Sequence, residues 1–428
     1  MRTTTEQLPG LTLTNLWLDA PLDHSRPDGE TIEIFARVAT SEDGANKPYL
    51  VFLQGGPGFE APRPTLDTPP WVGRLLREYQ VVMLDQRGTG RSTPVGVQVR
   101  RNGNQIGTEV TGGPAGRSVA DQAEYLTHLR ADEIVNDAER VREALGAKTW
   151  TVLGQSFGGF TTLHYLSTHP ESLAGAVITG GLSAVGRPID DIYAATWQIM
   201  IDKSEAYYRR FPSDRERVRE LSRLCAAGEV TLGNGDVVSA ARFRTVGQKL
   251  GMQGGAETLH YLLGLDHRSA AFAHDLAGLL PFEGRNPLYA VLHESSYADG
   301  VVTGWSADRT MPDRVREDVT LLGGEHLHRS VFTEDTALAA FGEVADVIAD
   351  HQWNQLYFPE RLAQADVPVA ASVYYADAFV PHEFSMETAA LLPGCRTWVT
   401  SAYEHNGLRV DNAVIDHLLG LLKGRRWL

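Results

Sequence analysis

Residues 150 to 159 read Trp150-Thr151-Val152-Leu153-Gly154-Gln155-Ser156-Phe157-Gly158-Gly159. An apolar, β-branched run leads directly into Gly-x-Ser-x-Gly-Gly, and residues 160 to 169 read as a helix. Strand, sharp turn with serine at the apex, then helix is the nucleophile-elbow pattern. The glycines follow from the chemistry. Ser156 has to sit on a strained turn so that its hydroxyl projects above the sheet edge. At Gly154 and Gly158, two residues to either side, a Cβ would collide with the neighbouring strand or helix.

Two upstream segments have the same texture. Tyr49-Leu50-Val51-Phe52-Leu53 is a buried parallel strand by composition, and it ends in Gln54-Gly55-Gly56-Pro57-Gly58. A glycine turn at the carboxyl end of a strand exposes backbone N–H groups to a developing oxyanion. Val81-Val82-Met83-Leu84 then runs into Asp85-Gln86-Arg87-Gly88-Thr89-Gly90-Arg91-Ser92. Residues 31 to 38 alternate, with Ile32, Ile34, Ala36 and Val38 on one face of an early strand near the sheet edge. Residues 132 to 145 place Ile134, Val135, Ala138, Val141 and Leu145 on one helical face, and residues 176 to 179 read as a strand. Such β–α alternation implies an α/β fold with a mostly parallel sheet flanked by helices. Residues 102 to 117, rich in glycine and polar side chains, read as an exposed loop.

After Gly180-Gly181-Leu182 the texture changes. Helical patterns dominate from 184 to 356, with 193 to 210 and 213 to 227 as examples. Strand patterns return at 367 to 374 and 397 to 400. A last amphipathic helix follows, with Val410, Val414, Leu418 and Leu421 expected inward. The expected organisation is a core of residues 1–183 and 357–428 interrupted by a helical cap, 184–356. Ligand sites in such sheets lie at the carboxyl ends of the strands, under that cap.

Three motifs together carry a family resemblance: Gly55-Gly56-Pro57-Gly58, then Asp85-Gln-Arg-Gly-x-Gly-Arg-Ser92, then Gly154-x-Ser-x-Gly-Gly159. In order and spacing they closely resemble the proline iminopeptidase family of α/β-hydrolase serine peptidases over roughly the first 180 residues. Asp377-Ala-Phe-Val-Pro381 and Glu404-His405-Asn-Gly407-Leu-Arg409 extend the match, and Pro21-Leu22-Asp23-His24 and the chain length resemble its longer branch. The resemblance implies an α/β-hydrolase fold and release of N-terminal proline from small peptides. One departure stands out. Gln54 occupies a position where the family usually has histidine, and tuning of the loop is expected rather than loss of activity.

A serine hydroxyl needs a base in hydrogen-bond reach and a carboxylate behind the base. In this fold the order is serine, acid, histidine. Past the cap the choices are His382, His405 and His417. His417 lies within the last helix, and His382 follows Pro381 only five residues after Asp377. His405 occupies a loop directly after a strand and is the expected base. Asp377 follows strand 369 to 375 and is the expected acid, whereas Asp366 precedes that strand and lies at the wrong end. The expected oxyanion donors are the backbone N–H groups of Gly56 and Phe157.

The triad specifies acyl transfer to water, with ester or peptide left open. An aminopeptidase must also neutralise the substrate's cationic amino terminus. The resemblance implies two cap glutamates for this, and Glu294 and Glu325 are the expected pair, with Glu404 a third candidate. Tyr297, Trp305 and Phe332 are candidate walls for a proline ring. The competing expectations are an ester or amide hydrolase without an amino-terminus requirement and a non-catalytic binding protein. All three triad residues are present, which argues against the latter.

The 428 residues, 43% hydrophobic and 22% charged, suit one large domain with an insertion. A net charge of −15 argues against nucleic acid and anionic membranes as partners. Cys225 and Cys395 suit a reducing compartment better than a disulfide framework. The N-terminus lacks a signal-peptide core, and no stretch approaches the roughly 20 apolar residues of a membrane span, so a cytoplasmic protein is expected. There is no His-Glu-x-x-His and no Cys-x-x-Cys, so neither metal nor cofactor is expected.

Overall fold

The computed structural model describes residues 1–102 and 105–424. In chain order the strands are β1 (Arg2–Leu8), β2 (Leu11–Pro21), β3 (Thr31–Ser41), β4 (Tyr49–Leu53), β5 (Gln80–Asp85), β6 (Gly96–Asn102), β7 (Gln105–Thr111), β8 (Trp150–Gln155), β9 (Leu173–Thr179), β10 (Val369–Tyr374) and β11 (Cys395–Thr400). Among the described residues, nine of these form one sheet, ordered β1-β2-β3-β5-β4-β8-β9-β10-β11. Pairing from β5 through β11 is parallel, and β1, β2 and β3 close the other side antiparallel.

The central strands are buried along their whole length because both faces of the sheet are covered. Every residue of β5, β8 and β10 is buried. Helix Ala131–Ala144 buries Ile134, Val135, Ala138 and Val141, the face its spacing predicts. Helix Phe157–Thr168 lies against the sheet centre with 11 of its 12 residues buried. Helices Ile189–Arg210 and Asp214–Ala226 fall where helical periodicity places them. No strand of either sheet occurs between β9 and β10 among the described residues.

Two expectations are corrected and one is refined. Part of the loop expected over 102 to 117, residues 105 to 111, is β7, which pairs with β6 as a separate two-stranded ribbon; residues 103 and 104 lie outside the described residues. Thr108, Val110 and the residues between them carry the alternation that the surrounding glycines obscure. Second, the strand 31 to 38 is third from the edge, because β1 and β2 pair outside it. Third, Val410 is 39% exposed while Val414, Leu418 and Leu421 are buried. Val410 ends a separate short helix, Gly407–Val410, and extended backbone at Asp411 breaks the register with the last helix, Ala413–Leu422. Among the described residues no helix is long and apolar enough to cross a membrane. Both cysteines are free.

Candidate active site

Ser156 lies between β8 and its helix with φ 55° and ψ −124°. A side-chain-bearing residue in this region is strained, by about 1–3 kcal/mol, and persists only where its surroundings hold it. The two glycines make that possible. A Cβ on Gly154 would stand 2.3 Å from Gly158 O, and one on Gly158 would stand 1.9 Å from Leu53 O. Backbone meets backbone here, so no larger residue fits. The Ser156 N–H donates to Thr179 O at 3.0 Å, fastening the turn to the end of β9.

His405 and Asp377 arrive from the ends of β11 and β10. His405 Nε2 lies 2.9 Å from Ser156 Oγ, and Nδ1 lies 2.8 Å from Asp377 Oδ2 and 3.0 Å from Oδ1. With Nδ1–H donating to the carboxylate, Nε2 is left as the acceptor for the serine hydroxyl. Asp377 is fixed in turn, because its Oδ1 accepts from Phe379 N at 2.9 Å and Val380 N at 3.1 Å. The residue is thus both an Asx-turn former and the partner of the imidazole. Burial alone would lower the His405 pKa; the charge and hydrogen bond of Asp377 outweigh it, and the net shift is upward. His382 instead stacks on Tyr375 at 4.7 Å, and His417 stacks on Trp398 at 4.1 Å.

The glycine turn after β4 lies against Ser156: a Cβ on Gly55 would be 2.9 Å from Ser156 Cβ. Gly56 follows in that turn and lines the same cleft as Ser156. Phe157 is the first residue of its helix, a position whose N–H has no intrahelical acceptor. Gln54 also lines the cleft, and its carbonyl accepts from Gln86 Nε2 at 2.9 Å. The motif after β5 is therefore scaffold. Arg87 is fully buried, donates to both oxygens of Asp137 at 2.7 Å, and also bonds the carbonyls of Pro21 and Leu22. A buried bidentate pair of this kind fixes geometry, and losing one partner costs about 3–5 kcal/mol.

Ser156 and His405 open into a cleft of about 1090 Å³. Glu325 lines it, half-buried, accepting from the Tyr289 hydroxyl and from Gln248 Nε2 at 3.4 Å. Glu294 is corrected. It is 5% exposed and does not line the cleft. Its carboxylate accepts from Ser306 N at 3.0 Å and Ala307 N at 2.9 Å, at the start of the short helix Ser306–Arg309. Burial, only partly offset by these bonds, pushes its pKa up to about 7. Glu404 is engaged with Lys203 at 2.7 Å. Trp305 and Phe332 contact each other, and Tyr297 packs on Phe160 and Tyr193. Phe59, Met252 and Tyr289 line the cleft, together with the aliphatic side chains of Val97, Val99, Leu232 and Leu280.

Sequence reasoning assigned no role to four cleft residues: Gln248, Lys249, Tyr289 and Arg409. Arg409 stands inside the motif shared with the family, which was a usable signal. The other three lie in helical segments whose facing depends on packing.

The fold and the Ser156–His405–Asp377 arrangement define an α/β-hydrolase-fold protein, and the family model described as alpha/beta hydrolase fold matches residues 48–228. The chain is 38% identical over 434 residues to a proline iminopeptidase of Aeromonas sobria, covering 97% of each chain. It is 28% identical to proline iminopeptidase aneH of Aspergillus aculeatus, over 98% of this chain and 95% of that one. A probable proline iminopeptidase of Streptomyces coelicolor matches at 27% over 45% of this chain. This chain belongs to the proline iminopeptidase family, in a form of about 430 residues.

Proposed function

We propose that this chain is a serine aminopeptidase that releases N-terminal proline from small peptides. The observation that carries the reading is a carboxylate, Glu325, in the same cleft as a serine already hydrogen-bonded to a buried histidine. The relatives' names supply the proline. Ser156 Oγ attacks the prolyl carbonyl carbon while His405 Nε2 takes its proton. The oxyanion that forms is stabilised by the N–H groups of Gly56 and Phe157. His405 then donates that proton to the leaving amine as the C–N bond breaks, giving a prolyl ester on Ser156. Water, deprotonated by His405, hydrolyses the ester and frees Ser156 and proline. Asp377 keeps the imidazole in the required tautomer and stabilises its charged form.

The substrate's ammonium group pairs with Glu325. Glu294, spent on backbone N–H groups, supports the segment around Ser306 instead. Residues 184–356 act as a cap on the core 1–183 and 357–428. The test is a panel of aminoacyl chromogenic amides, each free and N-blocked. Cleavage of the prolyl amide with refusal of its blocked form supports the reading. Equal cleavage of both would convert it into a general ester or amide hydrolase.

A further inference from the structure

The cleft is far larger than a prolyl group, and its cations are unevenly paired. Four Lys and Arg residues line it: Arg242, Lys249, Arg285 and Arg409. Arg242 is bound to Asp335, and Arg285 to Glu60. The Lys249 side chain has no hydrogen-bond or ion-pair partner among the described residues, and burial, with no opposing carboxylate, lowers its pKa. Arg409 has one partner, the neutral Gln155 Oε1 at 2.9 Å. In a chain of net charge −15 every other cation of this cleft has a carboxylate, and these two do not. The Lys249 ammonium, open to the cleft and without a carboxylate, is available to an anion that arrives from outside.

Their place says which part of a ligand they meet. In peptide hydrolysis the leaving amine takes its proton from His405 Nε2, so the leaving group has to lie beside the His405 loop. Arg409 is four residues past His405. Lys249 belongs to the 3₁₀ segment Thr245–Gly251, which is fastened to the same loop: His405 N donates to Gly251 O at 3.1 Å, and Gln253 N to Asn406 Oδ1 at 2.9 Å. Glu325 and Arg409 both act electrostatically on His405, with opposite sign. A zwitterionic peptide in this cleft would find Glu325 for its amino end and Lys249 and Arg409 for its carboxylate.

We propose that Lys249 and Arg409 form a subsite for the C-terminal carboxylate of the leaving group, which makes short prolyl peptides with a free carboxylate the preferred substrates. This rests on the proposed aminopeptidase function and adds the length and charge of the substrate to it. Neither residue touches the reacting atoms; both set specificity.

The test compares prolylglycine with prolylglycinamide, which differ in the terminal charge, using the full chain and following released proline. A hydrogen bond to a charged group is worth about 1.5–3 kcal/mol, so the free acid should exceed the amide by about tenfold or more in kcat/KM. Lys249→Met and Arg409→Gln should each pull that ratio toward one, mainly through KM for the acid. Lys249 has no internal partner to lose, so its variant reads the subsite without disturbing the fold. Arg409→Gln also gives up the contact with Gln155; an equal loss on acid and amide there would make Arg409 a support for Gln155 and overturn its share of the subsite. A wild-type ratio near one, or a ratio unmoved by Lys249→Met, overturns the proposal. Prolyl 4-nitroanilide carries no carboxylate and separates the two readings. If it is cleaved while the acid-to-amide ratio is one, only the subsite fails; if it is not cleaved, the aminopeptidase reading fails.

Discussion

The sheet edge and the helical region above it treat equally plausible residues differently. At the edge, Ser156, Asp377 and His405 stand at the ends of three neighbouring or near-neighbouring parallel strands, and each lies in the place its strand assigns. Above the edge, Glu294 and Glu325 look alike on paper, yet Glu325 lines the cleft and Glu294 serves the backbone of Ser306 and Ala307. Parallel strands share a hydrogen-bonded register, so a residue just past a strand end is located by its neighbours. Glu294 opens a 3₁₀ turn, Glu294–Tyr297, and Glu325 lies in a segment without helix or strand, so no strand register locates either carboxylate and packing alone decides which one reaches the cleft.

The sharpest way to break this contrast is Ser156→Ala. It should lower kcat by several orders of magnitude with an unchanged circular dichroism spectrum. Near wild-type turnover would remove the sheet edge from the chemistry altogether.

Asp377→Asn should cost on the order of 10⁴ in kcat. It also carries a pH signature. The proposed mechanism needs neutral His405, and Asp377 holds the imidazole pKa above its ordinary value, so activity of the wild type should decline as pH falls through that raised value. Removing the negative charge lowers the pKa, and the acid limb of the kcat/KM profile should move to lower pH in the residual activity. A limb that stays in place would mean that another group titrates.

Glu325→Gln should cost about 2 kcal/mol, roughly 30-fold in kcat/KM, on prolyl amides, after desolvation takes back part of the Coulomb gain. A neutral ester that reaches Ser156 without an amino group should lose far less. Equal losses on both substrates would place Glu325 with Glu294 among the structural residues.

The smallest effect belongs to Glu294→Gln, and it concerns stability. Burial raises the Glu294 pKa from 4.5 to about 7, so the folded chain retains a proton that the unfolded chain releases. That contribution is complete below about 4.5 and is lost as pH rises through 7, on the order of 3 kcal/mol in all. The glutamine variant cannot titrate there. Urea midpoints at pH 5 and pH 8 should therefore differ less in the variant than in the wild type, while kcat/KM changes far less than in Glu325→Gln. A loss of kcat/KM matching that of Glu325→Gln would return Glu294 to the cleft.

The N-terminal strands show why part of the fold was hidden. All seven residues of β1 are exposed, so nothing in its composition marks a buried face. In β2 the buried positions shift phase: Leu11 and Leu13 pack on one side of the sheet, Leu16, Leu18 and Ala20 on the other. Between them Asn15 is fully buried, receiving Arg37 Nε at 2.9 Å, a polar residue that sequence alone reads as a break. β4, β5 and β8, buried on both faces, were legible as continuous apolar runs.

The sequence by itself determined the parallel sheet, the glycine-flanked turn of Ser156, the places of Asp377 and His405 past strand ends, and the family. These are local matters: a strained turn needs glycines at fixed offsets, a doubly covered strand needs apolar residues throughout, and a base must follow a strand. Only the tertiary structure decided which glutamate lines the cleft, that Arg87 clamps the N-terminal segment to Asp137, and that Lys249 and Arg409 stand in the cleft without carboxylates. Each of those depends on partners brought together by folding from tens to hundreds of residues away, and a pairing over that distance leaves no periodicity in the chain that makes it.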